Sequence, residues 1–164
     1  MRELKIVGIE VVPVLENEEL DILLGDAEWK WMGDATILLE DLARQLGVTP
    51  LGDFMSYTRD DAAGAYDEEE MEDLEAEAEL RDGAFWMGDG ALLWSLERNW
   101  HTPETGLQTA RALIEHLSNH PEFWMPDDAA RSLDEGLIDI LREFEAVMLD
   151  AQARAKRFYL HLCA

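Results

Sequence analysis

The 164-residue sequence predicts an α+β fold: a mostly helical single domain with a small sheet that can pair its N- and C-terminal strands. Three observations carry that expectation. Residues 4–15 are β-branched and apolar on both faces, as in a strand covered on each side. Four later stretches repeat apolar residues at helical spacing next to capping or stop signals. The chain then ends on an alternating segment, Arg157 to Cys163, and chain termini often lie close together. One domain over residues 1–164 accommodates these elements, since domains cluster around roughly 100–150 residues. A hydrophobic content of 48%, with six Trp, five Phe and seven Met, is too rich for a disordered chain.

Taken in order, the first strand includes Pro13, which lacks an amide proton and restricts this part to an edge or an end. Glu16 to Gly25 reads as a short acidic helix or turn. A helix then begins at Asp34, with Ala35, Leu38, Leu39, Leu42 and Leu46 on one face and Gly47 at its stop. Residues 49–66 are irregular apart from a helix of one or two turns opened by Thr58. The acidic run 67–81 is rich in helix formers, but Met71, Leu74 and Ala78 give it only a thin apolar stripe. It reads as a surface helix or an acidic loop, with the helix favoured. Leu92, Leu93 and Leu96 suggest a further helix from Asp89 to about Asn99. Thr102-Pro103 opens the next, with Leu107, Ala110, Leu113, Ile114 and Leu117 along it and a stop near Asn119. The longest helix starts at Ser132, where Ser132 and Glu135 match a capping box. It carries Leu137, Ile140, Leu141, Phe144, Val147, Met148 and Ala151 as its buried stripe. In the last strand Phe158, Leu160 and Leu162 face one way.

One four-residue pattern recurs: Trp31-Met32-Gly33-Asp34 and Trp86-Met87-Gly88-Asp89, with a looser echo at Trp124-Met125-Pro126-Asp127. A shared way of starting a helix explains it, with Gly permitting the turn and Asp capping free amides. The sharper reading is an internal duplication.

Charge is the strongest single property. The chain carries 37 Asp and Glu against 13 Lys and Arg, a formal net charge of -24. Nine carboxylates fall between Asp67 and Glu79 with no cation among them. Such a surface repels nucleic-acid backbone and anionic membranes and attracts basic proteins or cations. With only three lysines, adaptation to high salt is the competing explanation. No apolar stretch approaches the roughly 20 residues that span a bilayer, and no signal-peptide pattern is present, so the expected location is cytoplasmic.

No arrangement of residues names a reaction. His116 and His120 have the spacing of zinc-binding helices, but Leu117 stands where an H-E-x-x-H motif needs Glu, and Pro121 disfavours helical geometry at His120. His161 and Cys163 share a strand face but lie at a chain end, so a bystander cysteine is the simpler reading. The acidic run lacks the ligand alternation of an EF-hand, and Met87 to Gly90 is no phosphate loop. The expectation is therefore no catalytic residues, no metal and no cofactor.

What remains is a non-enzymatic acidic binding protein that docks a basic protein partner. In character it resembles small bacterial immunity or inhibitor proteins, a likeness that rests on no motif. The partner-binding candidates are Asp67, Glu68, Glu69, Glu70, Glu72, Asp73 and Glu75, with Trp29, Trp31 and Trp124 as loop-borne aromatic anchors. Packing over the helices is the alternative role for these tryptophans. The other readings of the whole chain are an ordinary intracellular domain of a salt-adapted organism and an enzyme with an unrecognised carboxylate site.

Overall fold

A computed structural model describes residues 10–17, 30–120 and 131–163. The fold is α+β and predominantly helical, with two small antiparallel sheets. The chain divides into two compact units, Met1–Met55 with Trp100–Ala164, and Ser56–Asn99.

In the larger unit, β1 (Glu10–Leu15) pairs antiparallel with β5 (Phe158–Cys163), so that Leu15 lies opposite Phe158 and Glu10 opposite Cys163. The expected pairing of terminal strands is thus observed. Among the described residues β1 has a strand partner on one side only, and Pro13 is tolerated on such an edge strand. Burial of Val11, Val12, Val14 and Leu15 shows that both faces of β1 are covered. Just past the end of β1, the Glu16 carboxylate accepts from the Arg157 backbone N–H at 2.7 Å and from its guanidinium at 2.8 and 3.0 Å. These bonds hold the Glu16 carboxyl below its usual range and pin the register at that end of the sheet. The remainder of the expected strand (residues 4–9) and residues 18–25 lie outside the described residues.

Two short helices follow, α1 (Lys30–Leu38) and α2 (Glu40–Gln45). The single helix expected from Asp34 therefore starts earlier and breaks at Leu39, whose ψ is 5°. Thr36 Oγ1 donates to the Met32 carbonyl at 2.8 Å, a bond that bends helices. Ala35, Leu39 and Leu42 are buried as expected, but Leu38 is largely exposed. Gly47 ends α2 with φ +74°; its N–H reaches the Arg44 carbonyl while that of Val48 reaches Ala43, a Schellman motif.

The unit is completed by two long helices, α5 (Pro103–Asn119) and α6 (Arg131–Ala153), the two that separate residue 100 from β5. Their apolar stripes meet in the core, where Leu107, Leu113 and Leu117 join Leu141, Phe144 and Met148. Gly106 lies on α5 against Met148 of α6 and Phe158 of β5. A Cβ there would meet Met148 Sδ at 2.7 Å and Phe158 Cζ at 3.0 Å. Phe158 is itself wedged against Phe54 and Phe144, with ring centroids 5.1 and 5.8 Å away. Just past the end of α6, Ala155 lies at φ +53°, with the Lys156 N–H bonded back to the Ala151 carbonyl.

The smaller unit opens with α3 (Arg59–Ala62), started by a capping box between Thr58 and Asp61. Next comes α4 (Glu68–Glu77), the acidic run in helical form, capped by Asp67, which accepts from the Glu70 N–H at 2.8 Å. A three-stranded meander of β2 (Glu79–Arg81), β3 (Ala84–Trp86) and β4 (Leu92–Ser95) completes it. The helix expected over Asp89 to Asn99 is therefore a turn and a strand. The first hairpin closes on Asp82 and Gly83, both with positive φ, as a two-residue primed turn demands. The second turns through Gly90 at φ +88°. These two turns commit residues 79–95 to sheet geometry, and Trp94 becomes the buried centre of a small core with Ala62 and Met71.

The two full copies of the recurring pattern adopt different structures. Residues 31–34 lie inside α1, whereas Trp86 ends β3 and Met87 to Gly90 form a turn in which Asp89 accepts from the Ala91 N–H at 3.0 Å. The first copy occupies the first turn of a helix and the second a strand end and a turn, so the shared conformation that a duplication requires is missing. Residues 124–127 lie outside the described residues.

Candidate functional site

The acidic helix α4 sorts its carboxylates by direction. Met71 is buried and Leu74 half-buried against the small core, so this stripe defines the inner side. Glu68 and Glu75 are seven residues apart, two helical turns, and flank that stripe on one side. Arg59 spans both. Its guanidinium donates to Glu68 at 2.7 and 3.3 Å and to Glu75 Oε1 at 3.0 Å. Glu75 Oε2 also accepts from the Trp94 indole at 3.5 Å, and the Glu75 side chain is only 17% exposed. The Arg59 bond draws the Glu68 carboxyl below its ordinary range, while both carboxylates raise the guanidinium. A second pair supports the helix α3 beside it: Arg98 grips Asp61 through two hydrogen bonds and reaches the Ser56 carbonyl at 3.0 Å.

The remaining acids of α4 are exposed. Glu69, Glu72 and Asp73 lie on the arc opposite Met71 and Leu74, Glu70 sits one turn before Leu74 at the margin of the stripe, and Glu77 lies in the last turn; none of these makes an ion pair among the described residues. The expected partner-binding set thus divides by role. Asp67 caps the helix, Glu68 and Glu75 bind Arg59, and the other four face solvent. Trp31 stands within α1 rather than in a loop; Trp29 and Trp124 lie outside the described residues.

Sequence reasoning missed Arg59 and Trp86. A signal for the first exists: Arg59 and Arg81 are the cations that bracket the acidic run, and a helix with so many like charges needs one nearby. Trp86 lines an open groove of about 520 Å³ on the sheet of the smaller unit, with Ala84, Leu92, Ser95 and Leu96. Its indole donates to the Arg81 carbonyl at 3.1 Å and lies 5.3 Å from the Arg81 guanidinium.

The histidines occupy separate places in the fold. His116 and His120 stack at the end of α5, ring centroids 4.4 Å apart, and His120 leaves helical geometry with ψ 62°. Among the described residues, no group of three or more His, Cys, Asp or Glu is placed to hold a metal ion. His161 follows Tyr159 in β5 with ring centroids 6.0 Å apart. His101 is the unusual one. Its backbone pairs with Phe158 in both directions, its ring meets Phe54 edge-on at 5.2 Å, and its buried Nε2 has no hydrogen-bond partner among the described residues. Burial lowers its pKa, against a smaller opposing pull from Asp53.

No helix among the described residues is long and apolar enough to cross a membrane. Compared with protein-family models, with curated proteins and with solved structures, the chain matches none.

Proposed function

We propose that this protein is a non-enzymatic binding protein that docks a basic protein partner on the outer face of α4. The observation that supports it is the division within the acidic helix. Two carboxylates are committed to Arg59, while Glu69, Glu70, Glu72 and Asp73 are exposed to solvent without a cation among the described residues. Like charges on one helix face repel one another, and they gain most from a cation brought by a partner. The mechanism is electrostatic steering of encounter, followed by burial of a few aromatic anchors. An inhibitor or immunity protein against a cationic enzyme is the concrete form of this reading.

The test starts with a pulldown from the source lysate at low and high salt, which yields the basic partner. Glu69, Glu70, Glu72 and Asp73 are then neutralised to Gln and Asn. We expect the fold to survive and association at low salt to slow about ten-fold or more, chiefly in the on-rate. An unchanged on-rate defeats the proposal. If the protein instead unfolds in dilute buffer and refolds in concentrated salt, the charge serves salt adaptation and the proposal also falls.

A further inference from the structure

We infer that the groove beside Trp86 receives an arginine side chain of the cationic partner, giving the smaller unit a specific anchor in addition to its steering helix. This inference rests on the reading above and adds the chemistry of recognition to it. The groove floor is made of small residues, Ala84 and Ser95, both almost fully buried, so there is depth above them. Its walls are apolar: Trp86, with Leu92 and Leu96 at 44% and 50% exposure. Its remaining lining includes two carboxylates, Asp82 and Glu97, and no cation. Neither acid makes an ion pair among the described residues, and Asn99 adds an amide.

An aliphatic stem that ends in a charged planar fork matches this lining. The stem of an arginine can lie along Ala84 and Leu96 while its guanidinium meets Asp82 or Glu97 and stacks on the indole. A lysine ammonium supplies charge but neither the fork nor the flat face, so arginine is favoured. The protein already shows that Trp86 takes this kind of contact. Arg81 sits against the indole from a second depression, which Trp86 also lines and which does not include Ala84 or Leu96. The indole N–H is held by the Arg81 carbonyl, so the ring is oriented before any partner arrives. An apolar wall with unpaired carboxylates also argues against a neutral or acidic occupant, which would bury those charges without a counter-ion.

The experiment is an amide and indole NMR titration of the full chain with octa-arginine and, separately, octa-lysine at low salt. We expect saturable shifts of the Trp86 indole and of the Ser95 and Leu96 amides with octa-arginine. Octa-lysine should bind about three-fold or more weaker at these resonances. The Asp82→Asn, Glu97→Gln double variant, altered only at exposed positions, should weaken octa-arginine about ten-fold at the groove. Trp86→Ala should do the same where its spectrum remains folded. Shifts confined to α4, or no shift with either peptide, would overturn the inference. Equal affinity for both peptides would overturn it too, because the groove would then be reading charge alone. The steering proposal is judged separately, by the on-rate of the partner from lysate, so the two can fail independently.

Discussion

Gly106→Ala sets two calculable effects against each other at the contact between α5 and α6. Replacing a helical Gly by Ala gains about 1 kcal/mol from backbone entropy and propensity, less in the first turn where Gly106 sits. Against this, the new methyl would lie 2.7 Å from Met148 Sδ and 3.1 Å from its Cγ, and 3.0 Å from Phe158 Cζ. The Met148 thioether is flexible and can give part of the way. Phe158 cannot follow, because Phe54 and Phe144 hold its ring on other sides and it has no exposed surface. Overpacking of this kind costs about 1–3 kcal/mol, so a net loss of about 1 kcal/mol is expected. Urea denaturation followed by the helical signal should show a lower midpoint with an unchanged slope. In a Met148→Ala background the overlaps with Sδ and Cγ are gone while the Phe158 contact at 3.0 Å remains, so the double variant should be more stable than the sum of the singles by a part of that cost, about 0.5 kcal/mol. If Gly106→Ala raises the midpoint by its full propensity gain, the helices are not as close as described, and the reasoning fails.

Four other outcomes follow from the same residues. Leu141→Ala should cost about 2–5 kcal/mol and Phe144→Ala about 3–5, since both are fully buried; an unchanged denaturation midpoint would place them outside the core. For His101 the folded pKa lies below the ordinary 6.5, so the unfolded chain binds more protons in acid. The stability this neutral ring contributes is complete above about pH 6.5 and is lost as the pH falls toward the folded value. His101→Phe should therefore lose less stability than the parent between pH 7 and 5.5, measured by urea midpoints; parallel losses would refute the assignment. Ala155→Gly should stabilise by about 0.5–1 kcal/mol, because the left-handed penalty on Ala exceeds the extra unfolded entropy of Gly, and a lower melting temperature would contradict this. Arg59→Gln leaves Glu68 and Glu75 without their shared cation, so the far-ultraviolet helix signal should fall in dilute buffer and recover with salt; insensitivity to both would show the clamp to be idle.

The helices were legible where periodicity and punctuation agreed. Thr102-Pro103 and the stripe from Leu137 to Ala151 lead to α5 and α6 because apolar positions recur over several turns and only one phase buries them. Gly47 marked the end of α2 because its left-handed backbone suits glycine. The strand β4 was misread for an opposite reason. Leu92, Leu93 and Leu96 fit helical spacing over too short a span to exclude a strand, and the Asp82-Gly83 pair, a strong hairpin signal, outweighs them. In the site, the acidic helix could be read from composition. Its division could not, because Arg59 lies nine residues before Glu68 and only the turn after α3 brings the three side chains together. The groove was invisible for a similar reason: Trp86 and Leu96 come from different strands or their ends, and side chains across a meander become neighbours only once its register is known.

The placement of charge within α4 is itself evidence of accommodation by the fold. Glu68, Glu69 and Glu70 fill its first turn, where the positive end of the helix dipole and the unbonded amides favour carboxylates. Toward the other end the dipole becomes unfavourable to acids, and there Glu75 is the residue tied to Arg59 and the Trp94 indole. The helix therefore tolerates its charge by local means in its first turn and at Glu75. Glu72 and Asp73 in its middle and Glu77 at its end have neither compensation among the described residues. They are also where a chain selected only for stability would gain most by placing a lysine one turn away, and the sequence places none between Arg59 and Arg81. On the proposed reading, a cation supplied by the partner answers the charges that the helix itself leaves uncompensated.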